Sequence, residues 1–148
     1  MADHLHRRSI ARLSTEYLAC MLCEGVADTG LDILDFAIVL VISASNVGHL
    51  KGSAEALKHD HGSDTPVPAE FMTPVTLTGI AESLKLSPLM ARERTASLVE
   101  RGILVACGDD SFIIGAPVTS SSAAGRLADK NVAMARRFVR QVSETGIS

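Results

Sequence analysis

Residues 76–115 read TLTGIAESLKLSPLMARERTASLVERGILVACGDDSFIIG, and the fold turns on this stretch. Thr76 or Thr78 offers a hydroxyl to cap a helix whose positions Leu77, Ile80, Ala81 and Leu84 share one face. Ala81 is small enough for a second helix to approach closely, and Leu86 is placed to bury in the turn that follows. Ser87-Pro88 then supplies a cap hydroxyl and a proline in the first helical turn, where no intrahelical hydrogen bond is lost. A second helix starts there. Ala91, Thr95, Leu98 and Val99 continue at helical spacing, and Gly102 stands where a left-handed residue ends a helix. Beyond it, Ile103-Leu104-Val105 and Phe112-Ile113-Ile114 are β-prone runs around Gly108-Asp109-Asp110, a hairpin turn.

Helix, tight turn, helix and hairpin is the order of a winged helix-turn-helix. On TLTGIAESL, the LSP turn and the junction LVERGIL, the stretch resembles winged-helix bacterial transcriptional regulators, most nearly the multiple-antibiotic-resistance (MarR) type. The resemblance implies a mainly α fold with a small β-hairpin, that is, a winged helix-turn-helix domain with helical dimerisation arms. It further implies a homodimer on double-stranded DNA and a small-molecule effector bound between arms and domain. This chain departs from the family pattern at three places. Lys85 stands where glycine is usual in the turn, Arg94 where an apolar residue usually faces the core, and Asp109-Asp110 where the wing tip usually carries a basic residue.

A helix lying in the major groove presents its outward side chains to base edges and its N-terminus to phosphate. With Ala91, Thr95 and Leu98 inward, Leu89, Glu93, Ala96 and Glu100 point outward, and Arg92 and Arg94 flank them. The candidate DNA-binding residues are therefore Lys85, Ser87, Pro88, Leu89, Arg92, Glu93, Arg94 and Arg101. Glu93 can accept from a cytosine amino group and Arg92 can pair with guanine or phosphate, while Lys85, Arg94 and Arg101 add positive charge. The competing expectation is a winged-helix protein-interaction module that binds no DNA, because Glu93, Glu100, Asp109 and Asp110 acidify the same face.

The rest of the chain is support. At 148 residues it has room for one domain, residues 1–148, with helical arms. Mean hydropathy is +0.24 with only 3% aromatic residues, so aliphatic helices must form the core, and their surplus suggests burial against a second subunit. A net charge of −3 is not the strongly basic balance that announces nucleic-acid binding by itself. The polar start MADHLHRRS is unlike a secretory signal, and the apolar run 36–42 falls far short of the roughly 20 residues that span a bilayer, so a soluble cytoplasmic protein without membrane contact is expected. No Gly-rich phosphate loop, G-x-S-x-G or H-E-x-x-H is present, and His49 reads as structural; neither catalysis nor a cofactor is expected.

Residues 8–51 read as N-terminal helices. The first runs from about Ile10 to Cys23 and breaks over Gly25 to Gly30; Thr29, with Asp32 three residues on, caps a second that is apolar nearly all round until Ser43, Ser45 and Asn46 restore polarity. Residues 52–74 read as a flexible loop, whose His59-Asp60-His61 and Asp64 resemble metal ligands in composition only, so no metal is expected. Residues 76–118 hold the helix pair and wing. Residues 120–144 form a last helix with Leu127, Asn131, Phe138 and Val142 on one side and Arg126, Lys130, Arg136, Arg137 and Arg140 on the other: a dimerisation arm, a phosphate-contacting surface or a solvated face. Cys20 and Cys23 share a helix face and read as small core residues, with a redox-sensing thiol among Cys20, Cys23 and Cys107 as the alternative.

Overall fold

The computed structural model describes residues 2–47, 69–115 and 122–145. They fall into two compact units, 2–31 with 122–145 and 32–47 with 69–115, so of the expected N-terminal helices 8–51 only the first belongs with the last helix. None of the described helices is long and apolar enough to cross a membrane. His49 and the His59-Asp60-His61 and Asp64 set lie outside the described residues, as does most of the expected loop 52–74.

The first unit pairs α1 (Ala2–Thr29) with α5 (Ser122–Glu144). Contrary to expectation, α1 runs through Gly25 and ends only at Gly30, whose φ of 67° is left-handed. A mid-helix glycine costs about 1 kcal/mol, which tertiary packing overrides, and Gly25 is indeed buried. The Tyr17 and Phe138 rings lie 5.3 Å apart, while Lys130 reaches Glu24 at 2.7 Å and Asp28 at 3.0 Å. Numbers rise along one helix as they fall along the other, so the pair is antiparallel. Leu13, Tyr17 and Cys20 of α1 and Met134 and Phe138 of α5 line one groove between the two helices. The cysteine reading is corrected: Cys20 and Cys23 are exposed, not small core residues.

In the second unit, Asp32 is the cap of α2 (Ile33–Val47), its carboxylate accepting from Asp35 N–H at 2.8 Å. The capping pair is thus Asp32 and Asp35, three residues later than expected, and Thr29 belongs to the end of α1. Phe36, Ile38, Val39 and Ile42 are buried in the unit's own core. That apolar stripe is therefore buried within the single chain.

After a 3-10 turn at Ala69–Phe71 come β1 (Val75–Thr76), α3 (Leu77–Leu84), α4 (Pro88–Glu100), β2 (Leu104–Ala106) and β3 (Ser111–Ile114). Of the two threonines offered as caps, Thr76 accepts from Gly79 N–H at 3.0 Å. Ser87 caps α4 by accepting from Met90 N–H at 3.2 Å. Leu77, Ile80 and Ala81 of α3 and Ala91, Thr95 and Leu98 of α4 face inward, as the spacing requires. Between the helices Lys85 is left-handed, with φ 55° and ψ 40°. A residue with a Cβ is disfavoured there by about 1–2 kcal/mol, the physical reason glycine suits that turn.

The hairpin is joined by a third strand that the sequence did not reveal. The sheet order is β1-β3-β2, all antiparallel, with Leu104 opposite Ile114 and Val75 opposite Phe112. Helix α2 packs on β1, β3, α3 and α4, so it is the spine of the unit. Asn46, expected to restore polarity, is instead 1% exposed: its Nδ2 donates to the Thr73 carbonyl at 2.8 Å and its Oδ1 accepts from Ile114 N–H at 3.0 Å. It ties the end of α2 to the segment entering β1 and to the middle strand.

A cluster of four charges joins the start of α2 to α4. Arg94 donates to Asp32 and, at 3.3 Å, to buried Asp35; Arg101 reaches the other Asp35 oxygen at 3.5 Å. The Asp32 carboxyl is held below its ordinary value of 3.8, first by the Asp35 N–H and then by Arg94. A carboxylate whose folded-state pKa is depressed contributes stability above its unfolded pKa and loses it as pH falls through the folded one. Between about pH 5 and about pH 2 the wild-type urea midpoint should therefore fall further than that of Asp32→Asn. Equal falls for the two proteins would remove this carboxylate from the acid response.

Candidate nucleic-acid interface

The N-terminal half of α4, the turn before it and the wing tip enclose one shallow groove. Its volume is about 600 Å³, and its walls are Leu77, Thr78, Ala81 and Glu82 of α3, Lys85 and Leu86 of the turn, Pro88 and Arg92 of α4, and Asp110 of the wing. The local sequence makes this shape. Thr78, Ala81, Glu82 and Lys85 recur at three- and four-residue steps and so share a side of α3. Proline begins α4 without wasting a donor. Gly108 and Asp110, both left-handed, turn the hairpin so that the Asp110 carbonyl accepts from Leu77 N–H at 2.8 Å. The wing tip is thereby pinned to the start of α3.

Of the eight sequence-derived candidates, the structure brings Lys85, Pro88 and Arg92 into this groove. Ser87 is beside them as the α4 cap, and Leu89, 65% exposed, stands on the outer face with Glu93. Arg94 and Arg101 are not brought there. Both reach back to the carboxylates of α2, and hydrogen bonding to Asp32 raises the pKa of Arg94 further. Arg94 thus occupies an inward position as a charged residue because Asp32 and Asp35 meet it. Reasoning along the sequence missed Thr78, Glu82 and the role of Asp110. The helical spacing of Thr78 and Glu82 with Lys85 was a usable signal, but nothing local foretells a pairing across 18 positions.

That pairing is between Arg92 and Asp110. The guanidinium meets the carboxylate through two bonds, Nη1 to Oδ1 at 3.2 Å and Nη2 to Oδ2 at 3.3 Å, with side chains 61% and 55% exposed. Among the described residues Lys85 is the groove cation with no ion pair. The charge balance is unfavourable to a polyanion: residues 32–47 and 69–115 carry eight carboxylates against four basic side chains, a net of −4. No three or more His, Cys, Asp or Glu side chains among the described residues are grouped to hold a metal. Compared with known proteins, the chain matches no family model, no curated protein and no solved structure.

Proposed function

We propose that this protein is a cytoplasmic, non-enzymatic, homodimeric DNA-binding regulator whose second unit is a winged helix-turn-helix, with α4 entering the major groove and the hairpin as its wing. The observation that carries this reading is the order α3, left-handed turn, α4, hairpin, closed by β1 pairing with β3, with the first turns of α4 left exposed. Leu89 is placed for a thymine methyl, Glu93 for a cytosine amino group, and Lys85 and Arg92 for phosphate.

The dimer is supported by the first unit. Antiparallel helices are related by a twofold axis normal to their common plane, so Leu18 and Val139, which follow the paired rings of Tyr17 and Phe138, lie on one side. Val132, a heptad before Val139, shares that side. All three are exposed in the single chain, and a second copy would cover them as a four-helix bundle.

Fluorescence anisotropy with genomic DNA fragments at two salt concentrations tests the proposal. Wild type should select some fragments over bulk DNA, and Lys85→Glu with Arg92→Glu should abolish that selection. Every phosphate that the variant no longer neutralises should flatten the logarithmic salt slope by about 0.9. Arg94 is left intact in this test, since reversing it would break the Asp32 and Asp35 cluster and confound binding with folding. No fragment bound above bulk would sink the proposal.

One observation favours a second reading, the winged helix as a protein-interaction module. Arg92, Arg94 and Arg101 are each matched by a carboxylate of the same unit, leaving an acidic and partly apolar outer face at Leu89, Met90 and Glu93. Under that reading the double reversal leaves partner binding unchanged and the wild type shows no salt-dependent DNA affinity.

A further inference from the structure

We infer that Asp110 is an internal competitor for DNA, its carboxylate holding the Arg92 guanidinium as a backbone phosphate would and lowering the affinity of the free protein. This rests on the DNA-binding reading above and names the residue that sets its strength. A carboxylate and a phosphate offer a guanidinium the same two-pronged acceptor geometry, and the two bonds from Arg92 use it. Asp110 does not reach Arg92 by a wandering side chain on a loose tip. Its backbone is left-handed, its carbonyl is hydrogen-bonded to Leu77 N–H, and Cys107 N–H closes the turn on the Ser111 carbonyl at 2.8 Å. The carboxylate is thus presented over the groove that Lys85 and Thr78 also line.

Both partners are more than half exposed, so the pair is weak enough for an arriving phosphate to displace. Displacement carries a penalty, because Asp110 is left unpaired beside the polyanion. Arg92 therefore counts for less in binding than its position suggests, and the adjoining Asp109, which makes no ion pair among the described residues, lacks this effect.

Asp110→Asn is the test, since asparagine keeps the size and tolerates the left-handed backbone while removing the charge. Anisotropy titrations on a fragment selected by wild type should show Asp110→Asn binding about tenfold more tightly at low salt, with the gain shrinking as salt rises and screens the repulsion that the substitution removes. Asp109→Asn, an equal change in net charge one residue away, should gain clearly less. In an Arg92→Ala background the Asp110→Asn gain should shrink to that of Asp109→Asn. Equal gains from the two aspartates, a gain that persists without Arg92, or weaker binding by Asp110→Asn would each overturn the competitor role while leaving DNA binding intact. Failure of every variant, Asp110→Asn included, to bind any fragment above bulk would overturn the DNA reading and this inference together.

Discussion

Phe36→Ala should lower the stability of the second unit by about 3–5 kcal/mol, the largest single-residue loss expected in this chain. Phe36 is 1% exposed and sits on α2, which packs against α3, α4, β1 and β3. Deleting its ring removes the transfer free energy of the buried carbons and leaves a cavity that four surrounding elements cannot all close. Single domains are stable by about 5–15 kcal/mol, so the loss is a large share of the total. Urea denaturation followed by circular dichroism would show it as a fall in midpoint. Ile33→Ala is the control: three residues earlier on the same helix and 61% exposed, it should shift stability by less than about 0.5 kcal/mol. Similar losses at the two positions would mean that α2 is not the spine described.

Asn46→Ala is expected to come next, at about 2–4 kcal/mol, by a different mechanism. The side chain is buried and satisfies two backbone groups from distant segments, the Thr73 carbonyl and the Ile114 N–H. Alanine leaves the Ile114 donor without a partner in the middle of the sheet, where desolvation makes an unmade bond costly. Asn46→Asp should not rescue at neutral pH. It keeps the acceptor for Ile114 but sets a buried carboxylate oxygen against the Thr73 carbonyl. Hydrogen exchange at the Ile114 amide offers a local readout: in Asn46→Ala it should exchange faster than in wild type, and unchanged protection would remove the clamp from the account.

These two positions also show why some features were legible in the sequence and others were not. The inward faces of α3 and α4 follow from spacing alone, since a 3.6-residue period puts Leu77, Ile80 and Ala81, and Ala91, Thr95 and Leu98, on single sides. Ser87-Pro88 marked the start of α4, and Gly102, with φ 73°, its end. Caps and glycines act within a turn, so neighbours in sequence suffice to identify them. Phe36 was legible in the same way, as part of an apolar run too long for a surface helix.

Asn46 was not, because a polar residue after an apolar run is as readily a wet helix end as a buried clamp. The choice is made by Thr73 and Ile114, 27 and 68 positions away. Gly25 looked like a break because propensity is all that a sequence reader can weigh, whereas the helix continues with Gly25 itself buried. Strand β1 is two residues long, below any alternation pattern, and exists because β3 offers it a partner.

The candidate site divides along the same line. Lys85, Pro88 and Arg92 line one groove, with Ser87 beside them as the α4 cap, because a tight turn between two helices keeps sequence neighbours close in space. What the residue string determined about this protein is local: two capped helices in order, a turn, a hairpin, and an apolar helix before them. The tertiary structure decided which charges are available. Coulomb and hydrogen-bond interactions act over a few ångströms, and those ångströms are set by packing: the fold brings Asp110 to Arg92 from 18 positions away and Asp32 to Arg94 from 62.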